Sequence, residues 1–194
     1  MSEDDRAPPR RSRKTLWLIL ALCAAPLAAS YIAYYFLPPA THVNYGELLE
    51  PRPLPDVEVT SLDGSRMRLS ALKGEWVLLI ADDAACNEYC RTKLVYARQV
   101  RLAAGREQGR IERVWLVTDR GVPDAALLAE HPGLGVMHEP TGMLLKALPA
   151  AGSPVDHVYV IDPLGNLMLR FPRDPDPRKM LRDMSRLLRH SKWK

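Results

Sequence analysis

The first feature of the chain is an uninterrupted apolar run near its N-terminus, which is followed by shorter alternating and periodic segments. The run from Thr15 to Leu37 contains no charged residue and is long enough to cross about 30 Å of hydrocarbon as a helix. It continues through Tyr31 and Phe36, whereas the apolar core of a cleaved signal peptide spans only about 7–15 residues. We therefore predict a transmembrane helix over residues 15–37, with a cleaved signal peptide as the alternative.

The segments on either side of this run differ in charge. Residues 1–14 are charged and contain prolines with nothing apolar to bury, which predicts a disordered arm. Residues 38–55 are punctuated by prolines and predict a linker to one domain over residues 56–194. The arm carries Arg6, Arg10, Arg11, Arg13 and Lys14, whereas the linker has only Arg52 as a cation. The positive-inside rule then makes the arm cytoplasmic and puts the domain on the outer side of the membrane.

The pattern of the predicted domain begins with a β-hairpin, because Val57 and Val59 alternate with polar residues before an Asp63–Gly64 turn. The apolar run over 75–82 has the length of a strand and predicts a central strand covered on both faces. The remaining pattern predicts a helix ending near Gly105, a strand over 111–118, short helices over 123–130 and 142–148, two strands joined by a turn over 157–171, and a helix over 177–190. This order predicts an α/β, thioredoxin-like domain with an added N-terminal hairpin.

Length and charge limit the classes of function. The chain of 194 residues leaves room for one ordinary domain beside the membrane helix, so two catalytic domains are excluded. The net charge of +4 arises mainly from clusters at the two ends, without the interleaved aromatic and basic residues of RNA-binding proteins, and we predict no nucleic-acid partner. The sequence contains no nucleophile elbow, P-loop, H-E-x-x-H motif or dinucleotide-binding glycine fingerprint.

The candidate chemistry lies in the cysteines. Of three cysteines, Cys23 falls in the membrane run, while Cys86 and Cys90 directly follow the central strand and open the next helix. The end of a central strand is where α/β sheets hold their chemistry, and the amides of a helix N-terminus favour a thiolate. If the helix begins near Cys86, we expect that residue to be closest to solvent and the more reactive, with Cys90 as its resolving partner. A structural disulfide or two buried thiols is the alternative.

Two runs of the sequence, SLDGSRMRLSALKGEWVLLIADDAACNEYC and SPVDHVYVIDPLGN, resemble the Sco/SenC family of copper metallochaperones for cytochrome c oxidase. The resemblance implies that Cys86, Cys90 and His157 are the metal ligands, with copper as the metal. Two thiolates and one imidazole suit both Cu(I) and Cu(II), whereas two thiolates alone suit Cu(I). A lone histidine at the start of a strand is otherwise an ordinary surface or hydrogen-bonded residue. The other histidines are expected to be ordinary surface residues, namely His42, His131, His138 and His190.

The resemblance also implies a partner and a location. The partner is a terminal cytochrome oxidase subunit that bears a copper centre, and the chain is a single-pass protein of the inner (cytoplasmic) membrane with a periplasmic domain. Copper delivery or preparation is the first functional hypothesis. The second is an enzyme, a thiol-disulfide oxidoreductase that acts on cysteines of the oxidase or of a cytochrome. The third is a scaffold in which the Cys86–Cys90 pair is a structural disulfide.

The predicted topology is testable with a reporter enzyme that is active only outside the cytoplasm. Fused after Lys194, the reporter is expected to be active, because the cations before the apolar run hold the arm in the cytoplasm. Activity is compared with the amount of fusion protein in the membrane fraction. An expressed but inactive fusion would overturn the predicted orientation.

Overall fold

The computed structural model describes residues 13–36 and 44–191. The chain divides into two compact units, which meet in sequence at Val43 and Asn44 and are described separately. Most of the predicted arm, residues 1–12, lies outside the described residues, as do residues 37–43 of the predicted linker and residues 192–194.

The described part of the first unit is helix α1 (Arg13–Phe36), which continues through Pro26. Its span from Arg13 to Tyr35 has a mean hydropathy of 2.0 and is long and apolar enough to cross a membrane. The apolar side chains of this span are exposed, as expected of a helix that packs against lipid. The helix supports the predicted single-pass membrane anchor and begins at Arg13 rather than Thr15.

The second unit is built on a mixed sheet that, within the described residues, has eight strands. These are β1 (Glu47–Pro53), β2 (Glu58–Ser61), β3 (Arg66–Arg68), β4 (Trp76–Asp82), β5 (Ile111–Val117), β6 (Leu134–His138), β7 (Val158–Ile161) and β8 (Asn166–Arg170). Their spatial order is β1-β8-β7-β4-β5-β6-β2-β3. The β4–β5 and β5–β6 pairs are parallel, and the other neighbours are antiparallel.

Helices cover the sheet on both faces and leave β4 without access to solvent. They are α2 (Glu88–Ala103), α3 (Ala125–Glu130), α4 (Met143–Ala147) and α5 (Pro177–His190). Leu78 and Ile80 of β4 pack on the side of α2 and α5, whereas Val77 and Leu79 pack on the side of α4. Burial on both faces is the reason that the sequence of β4 is continuously apolar rather than alternating.

The predicted α/β, thioredoxin-like fold with its N-terminal hairpin is confirmed. Strand β6 was not predicted, because its sequence LGVMH is interrupted by glycine and only two of its residues are buried. It forms by parallel pairing with β5, a tertiary contact that outweighs its weak local preference.

The linker prediction over residues 38–55 was wrong for Glu47–Pro53, which form strand β1. This strand pairs with β8 and is itself the edge strand of the sheet, where prolines are tolerated because one side of the backbone needs no partner. Just before it, the amide of Gly46 donates to Asp183 Oδ2 of α5 at 2.8 Å. A Cβ at Gly46 would lie 2.4 Å from Leu169 Cδ2, so this position requires glycine. The proline pattern gave no sign of these long-range contacts.

Candidate functional site

The candidate site lies where the central strand β4 ends and a short loop leads into α2. Antiparallel pairing sets Val158, the first residue of β7, opposite Ile80 near the end of β4. The loop with the two cysteines and the segment before β7 therefore lie at the same end of the sheet, where β4 ends and β7 begins.

Backbone and side-chain hydrogen bonds hold the loop in a defined shape. The amide of Cys86 donates to Asp83 Oδ1 at 3.0 Å, and the amide of Ala84 donates to Asp119 Oδ1 at 3.0 Å. Asn87 is the N-cap of α2, since its Oδ1 accepts from the amide of Cys90 at 3.0 Å. Cys86 has a φ of +43°, in the left-handed region that a non-glycine residue adopts at a cost. The contacts of the neighbouring residues stabilise this conformation.

Cys86 and Cys90 form a disulfide, with their Cα atoms 5.1 Å apart. The prediction that these two residues lie together is confirmed. The expectation that Cys86 is the more solvent-exposed residue was wrong, because Cys86 and Cys90 are 1% and 0% exposed. The helix begins at Glu88, so Cys86 precedes the N-cap and turns inward under the loop instead of occupying the first turn.

His157 lies between a 3₁₀ turn at Pro154–Asp156 and the start of β7, and it is half-buried. Its Nδ1 is 2.9 Å from the carbonyl oxygen of Phe171. A carbonyl only accepts, so Nδ1 carries the proton and donates, which leaves the Nε2 lone pair free in the neutral ring. This is the tautomer of a histidine that binds a metal through Nε2.

Tyr89 connects the first turn of α2 to the segment that carries His157. Its hydroxyl donates to the carbonyl of Asp156 at 2.8 Å and accepts from the amide of Asp174 at 3.2 Å. The guanidinium of Arg173 lies 5.7 Å from the centre of the Tyr89 ring. Burial raises the pKa of the Tyr89 hydroxyl, so it remains a neutral donor at physiological pH.

A buried ion pair lies one helical turn beyond Cys90. The ammonium of Lys93, which has no exposed surface, is 2.7 Å from Asp82 Oδ2 at the end of β4. It also donates to the carbonyl of Val155, two residues before His157. Burial lowers the pKa of Lys93, and the Asp82 carboxylate acts in the opposite direction. The pair ties β4, α2 and the His157 segment together.

The three predicted ligands, Cys86, Cys90 and His157, differ in whether they could bind a metal in this structure. The two cysteine sulfurs are bonded to each other, and a disulfide supplies no thiolate. Within residues 13–36 and 44–191, no three His, Cys, Asp or Glu side chains converge as a metal site. Cys86, Cys90 and His157 do lie at the same end of the sheet. Reduction of the disulfide would supply the two thiolates, which are the soft donors that Cu(I) prefers.

Sequence reasoning missed Lys93, Asp82 and Tyr89. A signal for Lys93 was present, because it falls at helical spacing between Cys90 and Ala97 on the apolar face of α2. Asp82 ends a fully buried strand, which also predicts a buried carboxylate in need of a partner.

The other four histidines were expected to be ordinary surface residues, and the structure describes the side chains of two of them. His138 is half-buried, and its Nδ1 lies 3.2 Å from the carbonyl of Asp119. The expectation that His131 is a surface residue was wrong, since it is 3% exposed beneath the turn that leads into β6. His42 and the side chain of His190 lie outside the described residues.

Comparisons with known proteins agree with this architecture. A family model described as transmembrane-like, thioredoxin-like, C-terminal domain matches residues 76–191, from the start of β4 to the end of α5. That region contains the two cysteines, the buried ion pair and His157. A search of curated proteins returned no match.

Similar solved structures include two Sco proteins and one oxidoreductase domain. Copper-bound yeast Sco1 has a TM-score of 0.61 at 15% identity, over 74% of this chain and 96% of the yeast chain. Copper-bound ScoI from Bradyrhizobium japonicum has a TM-score of 0.56 at 18% identity, over 70% and 99%. The thioredoxin domain of a Bacteroides vulgatus thiol-disulfide oxidoreductase has a TM-score of 0.57 at 19% identity, over 73% and 99%. The Sco resemblance found in the sequence is confirmed as a common fold.

Removal of the Lys93 charge is expected to destabilise the domain. In Lys93→Met the Asp82 carboxylate keeps its burial but loses its counter-charge, and the free energy of unfolding should fall by about 3–5 kcal/mol. Urea unfolding of the full chain in micelles, followed by near-ultraviolet circular dichroism, measures the change. Adding Asp82→Asn should restore part of the loss, and Lys146→Met, at an exposed position, should change stability by about 0.5 kcal/mol or less. A Lys93→Met chain as stable as the wild type would show that Asp82 does not depend on Lys93.

Proposed function

This chain belongs to the family of transmembrane-like, thioredoxin-like C-terminal domains, and from that premise we propose that it is a membrane-anchored copper-binding assembly factor of the Sco type. Copper is its cargo, which it delivers to, or prepares for, the copper centre of a terminal cytochrome oxidase. The observation that carries the proposal is the common position of the Cys86–Cys90 pair and His157 at one end of the sheet.

Copper binding begins with reduction of the disulfide. A dithiol reductant supplies two electrons and becomes a disulfide itself, while two protons convert Cys86 and Cys90 to thiols. Metal binding then releases these protons, because the thiolate is the ligand. His157 is the third ligand through Nε2, since its Nδ1–H is held by the carbonyl of Phe171.

The anchor and the charge distribution support the proposed location. Helix α1 is long and apolar enough to span the inner membrane, and the cations before it favour a cytoplasmic N-terminus. The domain then faces the periplasm, where a disulfide persists and must be reduced before it binds metal.

The copper proposal predicts one Cu(I) per reduced chain and none per oxidised chain, because only reduction frees the two thiolates. His157→Ala should abolish Cu(II) binding and only weaken Cu(I) binding, since two soft ligands remain. The measurement is a competition titration of the reduced full chain in micelles, with a chromophoric Cu(I) chelator and separately with Cu(II).

The matched control is His138→Ala, which removes another half-buried histidine whose Nδ1 lies beside a backbone carbonyl. It should leave both copper affinities unchanged. A reduced wild-type chain that yields all its Cu(I) to a weak competitor would overturn the copper proposal. Equal effects of the two histidine substitutions would remove His157 from the ligand set.

Thiol-disulfide exchange is the second candidate function, and the disulfide at a strand–helix junction favours it. A thiolate of the client attacks one sulfur of the pair, a mixed disulfide forms, and the other sulfur leaves as a thiolate. Attack by the second client thiolate releases the reduced pair and the oxidised client. Electron flow in the reverse direction reduces the client instead.

Exchange chemistry predicts unequal reactivity of the two cysteines. Both cysteines are buried, but after reduction iodoacetamide should modify Cys86 first, because the loop before α2 can open locally, whereas exposing Cys90 requires the first turn of the helix to unwind. Mass spectrometry of timed samples assigns the modified residue and separates the pair from Cys23, and Cys86→Ser and Cys90→Ser, each of which leaves one cysteine of the pair, are the controls. Equal and slow modification, or a disulfide that resists a dithiol in the folded chain, would favour a structural disulfide.

A further inference from the structure

A second cluster of polar groups lies away from the cysteines, below the turn between α3 and β6. Arg113, on β5, is only 2% exposed, and His131, which follows α3, is 3% exposed. Both line a surface cleft of about 500 Å³ beside the strand β6. None of the site chemistry described above uses either residue.

The guanidinium of Arg113 is incompletely satisfied. Its Nη2 donates to the carbonyl of Pro132 at 2.6 Å, but its buried Nε and Nη1 have no hydrogen-bond partner. The buried Nδ1 of His131 also has none. No carboxylate among the described residues lies within ion-pair distance of Arg113. A buried cation without a counter-charge or acceptors carries a desolvation cost that a bound anion would offset.

The surroundings of this pair are also cationic. Burial, together with the charges of Arg101 and Arg98 on α2, lowers the pKa of Arg113. Burial and the charges of Arg113 and Arg98 lower the pKa of His131. Glu112 and Glu130 act in the opposite direction but do not reverse either shift. The electrostatic potential at the cluster therefore favours a negative ligand.

Two glycines, Gly133 and Gly135, also line the cleft beside this pair. Gly133 has a φ of +75°, and a Cβ built on it would lie 3.7 Å from Nη2 of Arg113. Gly135 follows in the exposed part of β6. A side chain at position 133 would pack against the guanidinium, and glycine leaves that side of Arg113 without such cover.

We propose that Arg113 and His131 form a binding site for a small oxyanion, a phosphate or a carboxylate, at the turn before β6. The oxyanion accepts hydrogen bonds from the unpartnered nitrogens and supplies the missing counter-charge. The site is separate from the Cys86–Cys90 pair and does not depend on the redox state of that pair.

The test is isothermal titration of the full chain with inorganic phosphate, in a maltoside detergent without phosphate groups and at ionic strength held constant with chloride. One phosphate per chain is expected to bind saturably, and acetate is expected to compete with it. Arg113→Met, which keeps the apolar stem and removes the guanidinium, should weaken phosphate binding by roughly tenfold or more. Arg106→Met removes an exposed arginine elsewhere and should not change it.

Thermal unfolding gives an independent measurement. Phosphate should raise the unfolding midpoint of the wild type and of Arg106→Met but not of Arg113→Met. In chloride alone, Arg113→Met should be at least as stable as the wild type, because it removes an unpaired buried charge. If that variant does not fold, His131→Leu provides the comparison and should also weaken binding. A wild-type chain that shows no response to either anion, or an equal response in all variants, would overturn the proposal.

Discussion

Lys93 carries its ammonium group into a region without access to water, where its charge is stabilised only if acceptors from several segments converge. Asp82 supplies one acceptor from the end of β4, and Val155 supplies another from the segment before His157. The first turn of α2, with Cys90 and its disulfide to Cys86, is therefore fixed relative to the central strand and to His157. The arrangement of the candidate site depends on this pair, although a hydrophobic replacement of both partners would satisfy the core equally well.

The residues that follow each cysteine stabilise the loop between them. Asn87 follows the first cysteine and Arg91 follows the second. Asn87 caps α2 through its side chain, a role that proline cannot fill. Arg91 Nε donates to the carbonyl of Cys86 at 3.3 Å, across the disulfide. Side-chain hydrogen bonds from Asn87 and Arg91 thus hold the loop that carries the disulfide.

Local patterns predicted the elements whose apolar residues or turn residues recur at short range within the element itself. The continuous run of β4, the Asp63–Gly64 turn of the hairpin and the periodic apolar face of α5 each follow from short-range chemistry. Strands β1 and β6 were missed because each exists only through pairing with a distant strand. The cysteine pair was predictable from its position, whereas the link through Tyr89 to Asp156 joins residues 67 positions apart and leaves no local trace.

Two buried cations in this domain, Lys93 and Arg113, differ in whether contacts within the fold compensate their charge. Lys93 has a carboxylate at 2.7 Å and backbone acceptors, so its charge is compensated within the fold and its role is to hold segments together. Arg113 has one backbone acceptor and no carboxylate in contact, so its charge is not compensated by the chain's described residues. Guanidinium stays protonated even when buried, so Arg113 cannot lower this cost by releasing a proton as a lysine can. The proposed anion would supply the counter-charge that the described residues do not, whereas a change in protonation would not be available to Arg113.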